Sequence, residues 1–156
     1  CQTISQPYIV ALTIGAAGIG PGSHVLEVGA GSGYAAAIIG CIARSVVAVE
    51  RVPELAAAAR ARMAALGYAN VEIVKGDGTL GWPDRAPYDA IVAAACGRRV
   101  PPALIDQLRP GGRLVMPVER NDGSQALVRL VKSGDGSVSQ AEICPVRFVP
   151  LIGAQG

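Results

Sequence analysis

The chain has little with which to hold a metal or a nucleic acid. It carries one histidine, His24, and its four cysteines, Cys1, Cys41, Cys96 and Cys144, form no CxxC pair, so metal-ligand spacing of the zinc type is absent. Charged residues are sparse and the net charge is +2, too small a surplus to suggest a phosphate backbone as partner. No apolar run reaches the ~20 residues that span a bilayer, and no basic stretch leading into an apolar core marks a leader peptide. The expectations are no metal, no nucleic acid and no membrane, with the cytoplasm as the default location. Cys41, in an apolar helical stretch, and Cys96, at the end of an apolar strand, read as buried thiols and not as disulfide partners.

What the chain has in quantity is aliphatic: half of it, 51%, is hydrophobic. At 156 residues it fits one domain, able to bury roughly two-thirds of its unfolded surface. There are no repeats and no low-complexity tract. Instead, strand and helix patterns alternate. HVLEVG (24–29) reads as a strand ending in glycine, GYAAAIIGCIAR (33–44) as a helix, VVAVE (46–50) as a second strand. PELAAAARARMAAL (53–66) is the clearest helix, opened by Pro53 and stopped by Gly67. VEIVK (71–75) and YDAIVAAA (88–95) are further strands, PPALIDQL (101–108) a short helix and GRLVMPV (112–118) a fifth strand. This rhythm predicts a parallel sheet with helices on both faces. The last part changes character: QALVRLVK (125–132) and ICPVRFVPL (143–151), joined through SGDG, read as an antiparallel pair on the sheet edge, with Pro145 and Pro150 at strand ends or unpaired positions.

The chemistry clusters after the strands. In LEVGAGSGY (26–34), Gly29, Gly31 and Gly33 follow a strand and open a helix, which permits a tight turn and close approach of a ligand to the backbone. Glu50 ends the next strand, where a carboxylate can accept from both hydroxyls of a ribose. The glycine spacing is GxGxG, with Tyr34 where a dinucleotide fingerprint wants its third glycine. Glu27, two residues ahead of the loop, would repel a pyrophosphate but suits a cation. S-adenosylmethionine carries a sulfonium, an ammonium and no phosphate, so the charges favour it over NAD. Asp77 and Gly78, after the third strand, stand on the same edge. They read either as a plain turn or as an adenine site, with Asp77 accepting from the amino group and a neighbouring backbone N–H donating to a ring nitrogen.

The opening CQTISQPYIV poses a separate question. Pro7 suits the first position of a helix. Ser5 or Gln6 then either caps that helix through a side-chain oxygen or faces a ligand.

Taken together, TISQPYIVA (3–11), VLEVGAGSGY (25–34), VEIVKGDGTLGWP (71–83), APYDAIV (86–92), VPPALIDQLRPGGRLVMPV (100–118) and RFVPLIG (147–153) resemble the protein-L-isoaspartate (D-aspartate) O-methyltransferase family over essentially the whole chain and in the family's order. The glycine loop and LRPGG are shared with many class I methyltransferases; TISQP, GDGTLGWP and FVPLIG are far more specific. The resemblance implies a class I S-adenosylmethionine-dependent methyltransferase fold, α/β and Rossmann-like, with five parallel strands and a C-terminal antiparallel edge pair. It implies methyl transfer to the α-carboxylate of isoaspartyl residues in damaged proteins; a monomer is the expected state. Ser5 takes the catalytic role, and Thr3, Ile4, Glu27, Gly29, Gly31, Gly33, Glu50, Asp77 and Gly78 hold the cofactor.

The chain also departs from the family pattern. Family members carry a helical segment ahead of TIS, so residues 1–156 are expected to form a single methyltransferase domain without it. Where the family places proline and an acid after the fourth strand, this chain has Gly97, Arg98 and Arg99; the arginines read either as a solvated loop pair or as a partner for the substrate's backbone carboxylate or an acidic flanking residue. Three rival readings share parts of this pattern: a carboxylate methyltransferase of peptide modification, a domain that binds the cofactor without turnover, and a dehydrogenase.

Overall fold

The computed structural model describes residues 5–156. Helix α1 (Pro7–Ala17) starts on its proline, whose missing N–H falls where no helical partner exists. The chain then runs through β1 (His24–Val28), α2 (Tyr34–Gly40), β2 (Ser45–Glu50), α3 (Pro53–Ala65), β3 (Val71–Lys75), β4 (Tyr88–Ala93), α4 (Pro102–Asp106), β5 (Leu108–Glu119), β6 (Gln125–Lys132) and β7 (Val138–Val146). Two short 3-10 turns, Gly78–Leu80 and Pro83–Arg85, lie between β3 and β4.

One sheet holds every strand in the order β3-β2-β1-β4-β5-β6-β7. The pairs from β3 to β5 are parallel, and β5–β6 and β6–β7 are antiparallel. Five parallel strands with an antiparallel edge pair is the expected class I methyltransferase arrangement. The strand order reverses between β1 and β4, and a crevice opens at such a point, outside the carboxyl ends of the strands.

Alternation along the strands sends successive side chains to opposite faces. Val25, Val46, Ala48, Ala90 and Val92 pack beneath α1, α2 and α3 against Val10, Ile14, Ile39 and Met63. Leu26, Val28, Val47 and Ile91 pack on the other face with Leu104, Leu108 and Tyr88. Glu27 is in phase with Val25 and so belongs to the face that α1 and α2 cover. Among the described residues no helix is long and apolar enough to cross a membrane.

Three elements differ from the sequence reading. Helix α2 stops at Gly40, four residues early. A Cβ on Gly40 would lie 2.6 Å from Val71 Cγ2, so the helix abuts β3 there. Asn70 Nδ2 then donates to the carbonyls of Gly40 (2.8 Å) and Ala43 (3.1 Å), satisfying groups a longer helix would have used. Cys41 consequently falls outside the helix and is exposed, not buried as expected; Cys96 is buried. Strand β5 begins at Leu108, ahead of 112, with a register shift against β4. Strand β7 begins five residues early and ends at Val146. Residues 147–151 leave the sheet edge as a strap across the end of β4: Cys96 N–H donates to Val149 O (2.8 Å) and Leu151 N–H to Cys96 O (2.7 Å).

Candidate active site

The glycine loop leaves β1 at Val28, and Gly29, Gly31 and Gly33 all have positive φ, at 89°, 53° and 81°. Gly33 shows why a side chain is excluded. Besides its φ, a Cβ there would lie 3.1 Å from Met63 Cε and 3.5 Å from Ala59 Cβ, so the loop lies directly on α3. Gly29 N–H and Ala30 N–H both donate to Val49 O, at 2.8 and 3.1 Å, tying the loop to the end of β2.

Glu50 completes that tie. It is 6% exposed, and its two oxygens accept from Gly31 N–H (2.8 Å) and Val52 N–H (2.9 Å). Each oxygen keeps a further lone pair, which is what a ribose hydroxyl would need. Gly78 is buried beside the same hollow, lined also by Gly29, Glu50, Arg51 and Leu151, and a Cβ on it would lie 2.5 Å from Val28 Cγ1.

Glu27 is 2% exposed, and its Oε2 has no hydrogen-bond partner among the described residues. Burial, reinforced by the charge of Glu50, pushes its carboxyl up to about 8. An orphaned buried carboxylate is costly, and a cation placed against it would remove that cost. It lines a small hollow with Ser5, Gly29, Ser32 and Tyr34.

Asp77 is occupied from two sides. Its Oδ1 accepts from Thr79 N–H (2.9 Å) and Thr79 Oγ1 (2.7 Å), and its Oδ2 from Ala154 N–H (2.8 Å). Partial burial raises its carboxyl, but the donors from Ala154 and Thr79, with the charge of Arg51, outweigh that and hold it below the usual range. One lone pair of Oδ2 is left for an adenine amino group. Gly153 packs so closely on Asp77 and Thr79 that a Cβ would overlap them.

Ser5 is half-buried ahead of α1. The capping alternative finds no bond: Gln6 occupies the N-cap, and no side chain caps the helix. Ser5 and Ala94 line both the hollow of Glu27 and a separate cleft of about 530 Å³. Gln6, Ile9, Pro145, Arg147 and Phe148 help form that cleft. Thr3 and Ile4 lie outside the described residues.

The structure brings Ser5, Glu27, the glycine loop, Glu50, Asp77 and Gly78 to one edge of the sheet. It does not bring Arg98 and Arg99 there. Both are exposed and line none of these hollows. Two contributors were missed in the sequence. The strap from Arg147 to Ile152 walls the cleft and the hollow of Glu50; in the sequence, residues 147–151 of it read as the end of the strand ICPVRFVPL. Gln107, buried, accepts from Trp82 N–H (2.8 Å) and donates to Leu80 O (2.8 Å), fixing the loop after Asp77. No local pattern marks it.

Comparison with known proteins identifies the family. The family model for protein-L-isoaspartate(D-aspartate) O-methyltransferase matches residues 1–156. Protein-L-isoaspartate O-methyltransferase 2 of Pelobacter propionicus is 53% identical, covering 99% of this chain and 69% of its own. The Rhodopseudomonas palustris protein-L-isoaspartate O-methyltransferase is 54% identical over 99% of this chain and 71% of its own. Among solved structures, a protein-L-isoaspartate O-methyltransferase superposes with a TM-score of 0.93 at 32% identity, covering 99% of this chain and 50% of that one. A Plasmodium falciparum structure described as a protein-L-isoaspartate O-methyltransferase in complex with S-adenosyl-L-homocysteine gives 0.83 at 25% identity, over 96% of this chain and 76% of that one. The chain therefore spans half to about three-quarters of these relatives' lengths. With a match along its whole length and relatives more than half identical, the chain belongs to the protein-L-isoaspartate (D-aspartate) O-methyltransferase family.

Proposed function

We propose that this chain is a single methyltransferase domain that methylates the free α-carboxylate of isoaspartyl residues in damaged proteins, using S-adenosylmethionine. The observation that carries the reading is the position of Ser5, which lines both the hollow of Glu27 and the larger cleft. A methyl acceptor in the cleft would meet a donor in the hollow at that residue.

The residues present fit the cofactor. The unpartnered Oε2 of Glu27 suits an ammonium or sulfonium and would repel a pyrophosphate, which argues against the dehydrogenase alternative. Glu50 would take the ribose hydroxyls, Asp77 the adenine amino group, and Gly29, Gly31, Gly33 and Gly78 leave room for backbone approach. The S-adenosyl-L-homocysteine held by the Plasmodium falciparum relative supports the same assignment. When bound, S-adenosylmethionine supplies a methyl on a sulfonium, and transfer to a carboxylate oxygen cancels one negative and one positive charge.

A carboxylate is already ionised at neutral pH, so no general base is required. Ser5 orients the acceptor by donating its hydroxyl proton in a hydrogen bond. The apolar walls, Ile9, Phe148 and Val149, exclude water from the acceptor oxygen. Such positioning can lower a barrier by roughly 7–11 kcal/mol in favourable cases. A cytoplasmic setting fits a repair enzyme for damaged proteins, and a monomer suffices for every group named.

Replacing Ser5 by Ala tests the reading. Since no cap bond is lost, the melting temperature and S-adenosylmethionine affinity should hold while turnover of an isoaspartyl peptide falls about tenfold to a hundredfold. Turnover at the parental rate would remove Ser5 from catalysis. A folded parent that binds S-adenosylmethionine but methylates no isoaspartyl peptide would favour a binding domain or an enzyme for another carboxylate.

A further inference from the structure

We infer that Arg147 reads the negative charge of the acceptor carboxylate, and so distinguishes unmethylated substrate from methylated product. The inference rests on the proposed reaction. Among the described residues lining the 530 Å³ cleft, Arg147 is the charged side chain, beside Ser5, Gln6 and apolar groups. It makes no ion pair among the described residues, whereas Arg85, Arg109 and Arg120 pair with Glu72, Asp89 and Glu142. A guanidinium exposed in a cleft without a counter-charge is ready for a carboxylate from outside, in the planar two-pronged geometry it prefers.

Its backbone is held although its side chain is free. Just before it, Val146 pairs with Gln125 across β6 and β7. Just after it, the Gln125 side chain grips Phe148 from both sides: Oε1 accepts from Phe148 N–H (2.6 Å) and Nε2 donates to Phe148 O (3.2 Å). The bonds between Cys96 and Val149 and Leu151 pin the next turn of the strap. Arg147 thus projects from a segment sewn down on both sides, which lowers the ordering cost of a contact.

The direction of the effect follows from the charge change. Methyl transfer consumes the carboxylate's charge, so a guanidinium on that group interacts more strongly with substrate than with transition state or ester. It therefore cannot accelerate the chemical step. What it does is capture the ionised acceptor and weaken its hold once the ester forms. Arg147 thus acts on capture of the substrate and release of the ester, and adds nothing to the rate of the chemical step. Arg98 and Arg99, exposed and away from the cleft, have no such access.

The test uses two peptides identical except at one group: an isoaspartyl peptide and its isoasparaginyl counterpart, in which a neutral carboxamide replaces the α-carboxylate. Binding is measured with S-adenosylhomocysteine present, so that nothing turns over. The parent should prefer the carboxylate by about five- to tenfold, between an exposed ion pair and a well-made charged hydrogen bond. Arg147→Gln should lose that preference while binding the carboxamide as before, Arg147→Lys should keep part of it, and kcat at saturating peptide should not fall but hold or rise by up to a few-fold. An Arg147→Gln form that keeps the parental preference overturns the inference. Equal weakening for both peptides would make Arg147 a structural residue and overturn it too, as would a loss confined to peptides with an acidic neighbour. If the parent binds S-adenosylmethionine but methylates neither this nor any isoaspartyl peptide, the proposed function itself fails, and that result is distinct from an active parent with an indifferent Arg147.

Discussion

Around the ends of β1, β2 and β3 the polar groups of the site are buried and tied to neighbouring backbone. Glu50 holds the glycine loop through Gly31 and Val52, Asp77 holds Thr79 and Ala154, and Glu27 is almost wholly enclosed. Around the cleft the arrangement is reversed. Arg147 and Gln6 are exposed, and rigidity comes from bonds that the Gln125 side chain and the Cys96 backbone make to the backbone of the strap. The first region presents a pocket already formed for one small molecule. The second presents a held wall with free side chains, suited to peptides of varied sequence. Substitutions in the first should therefore disturb cofactor binding and folding together. Those in the second should disturb peptide binding alone.

The largest effect should come from Glu50→Ala. The substitution removes the proposed ribose contacts, each worth about 1.5–3 kcal/mol when charge-assisted. It also leaves the Gly31 and Val52 N–H groups unpaired, at roughly 1–3 kcal/mol each if water cannot reach them. S-adenosylmethionine affinity measured by calorimetry should drop by about a hundredfold or more, with a lowered melting temperature. A variant with parental affinity would take Glu50 out of the site and erase the distinction between the two regions.

Glu27 sharpens the same contrast through pH. Its carboxyl ionises near 4.5 in the unfolded chain and near 8 when folded. Between those values the folded protein holds a proton that the unfolded chain has released, so stability falls as pH rises across that window. Glu27→Gln should flatten this part of the curve in denaturant unfolding of the ligand-free protein. A cationic ligand favours the ionised carboxylate, so binding S-adenosylmethionine near pH 7 should release a proton. Calorimetry in buffers of different ionisation enthalpy should show that release in the parent and not in Glu27→Gln. The same heat in both proteins would mean that Glu27 does not meet the cation.

The two regions also differ in how far they could be read from the sequence. The cofactor side is written locally. A strand, three glycines and an acid two residues ahead are adjacent in the chain, and a parallel sheet brings Glu50 and Asp77 to the same edge without further information. The cleft is assembled from distant pieces: Ser5 ahead of α1, Ala94 after β4 and Arg147 after β7 meet only because the strap turns off the sheet. FVPLI is an apolar run of the kind a strand can supply, and nothing local says that pairing with β6 ends at Val146. The bonds that divert it come from Gln125 and Cys96, far away in sequence. In the sequence Arg98 and Arg99 are open between a substrate contact and a solvated loop pair; both are exposed and line neither the cleft nor the cofactor hollows. The early end of α2 depended on Asn70, thirty residues away from Gly40.

Gln125→Ala asks whether the strap positions the cleft wall. It removes both bonds to Phe148, and two neutral hydrogen bonds are worth about 1–3 kcal/mol together. KM for an isoaspartyl peptide should rise a few-fold with cofactor affinity unchanged. Loss of cofactor affinity instead would show that the two regions are not separable.

The smallest effect is expected at Arg98 and Arg99. Both are exposed, make no ion pair among the described residues and line neither the cleft nor the cofactor hollows. Exposed charges contribute at most about 1 kcal/mol, and their reach is screened beyond roughly 8 Å at physiological salt. The double substitution to Ala should leave KM unchanged at 0.15 M salt. At low salt a modest rise is expected, because the summed positive field that draws an anionic peptide is reduced. Arg147→Gln should raise KM at both ionic strengths, since its contact is made at close range. If the double variant instead raised KM strongly at both, the peptide would have to run over the loop after β4, and the cleft wall would extend beyond the strap.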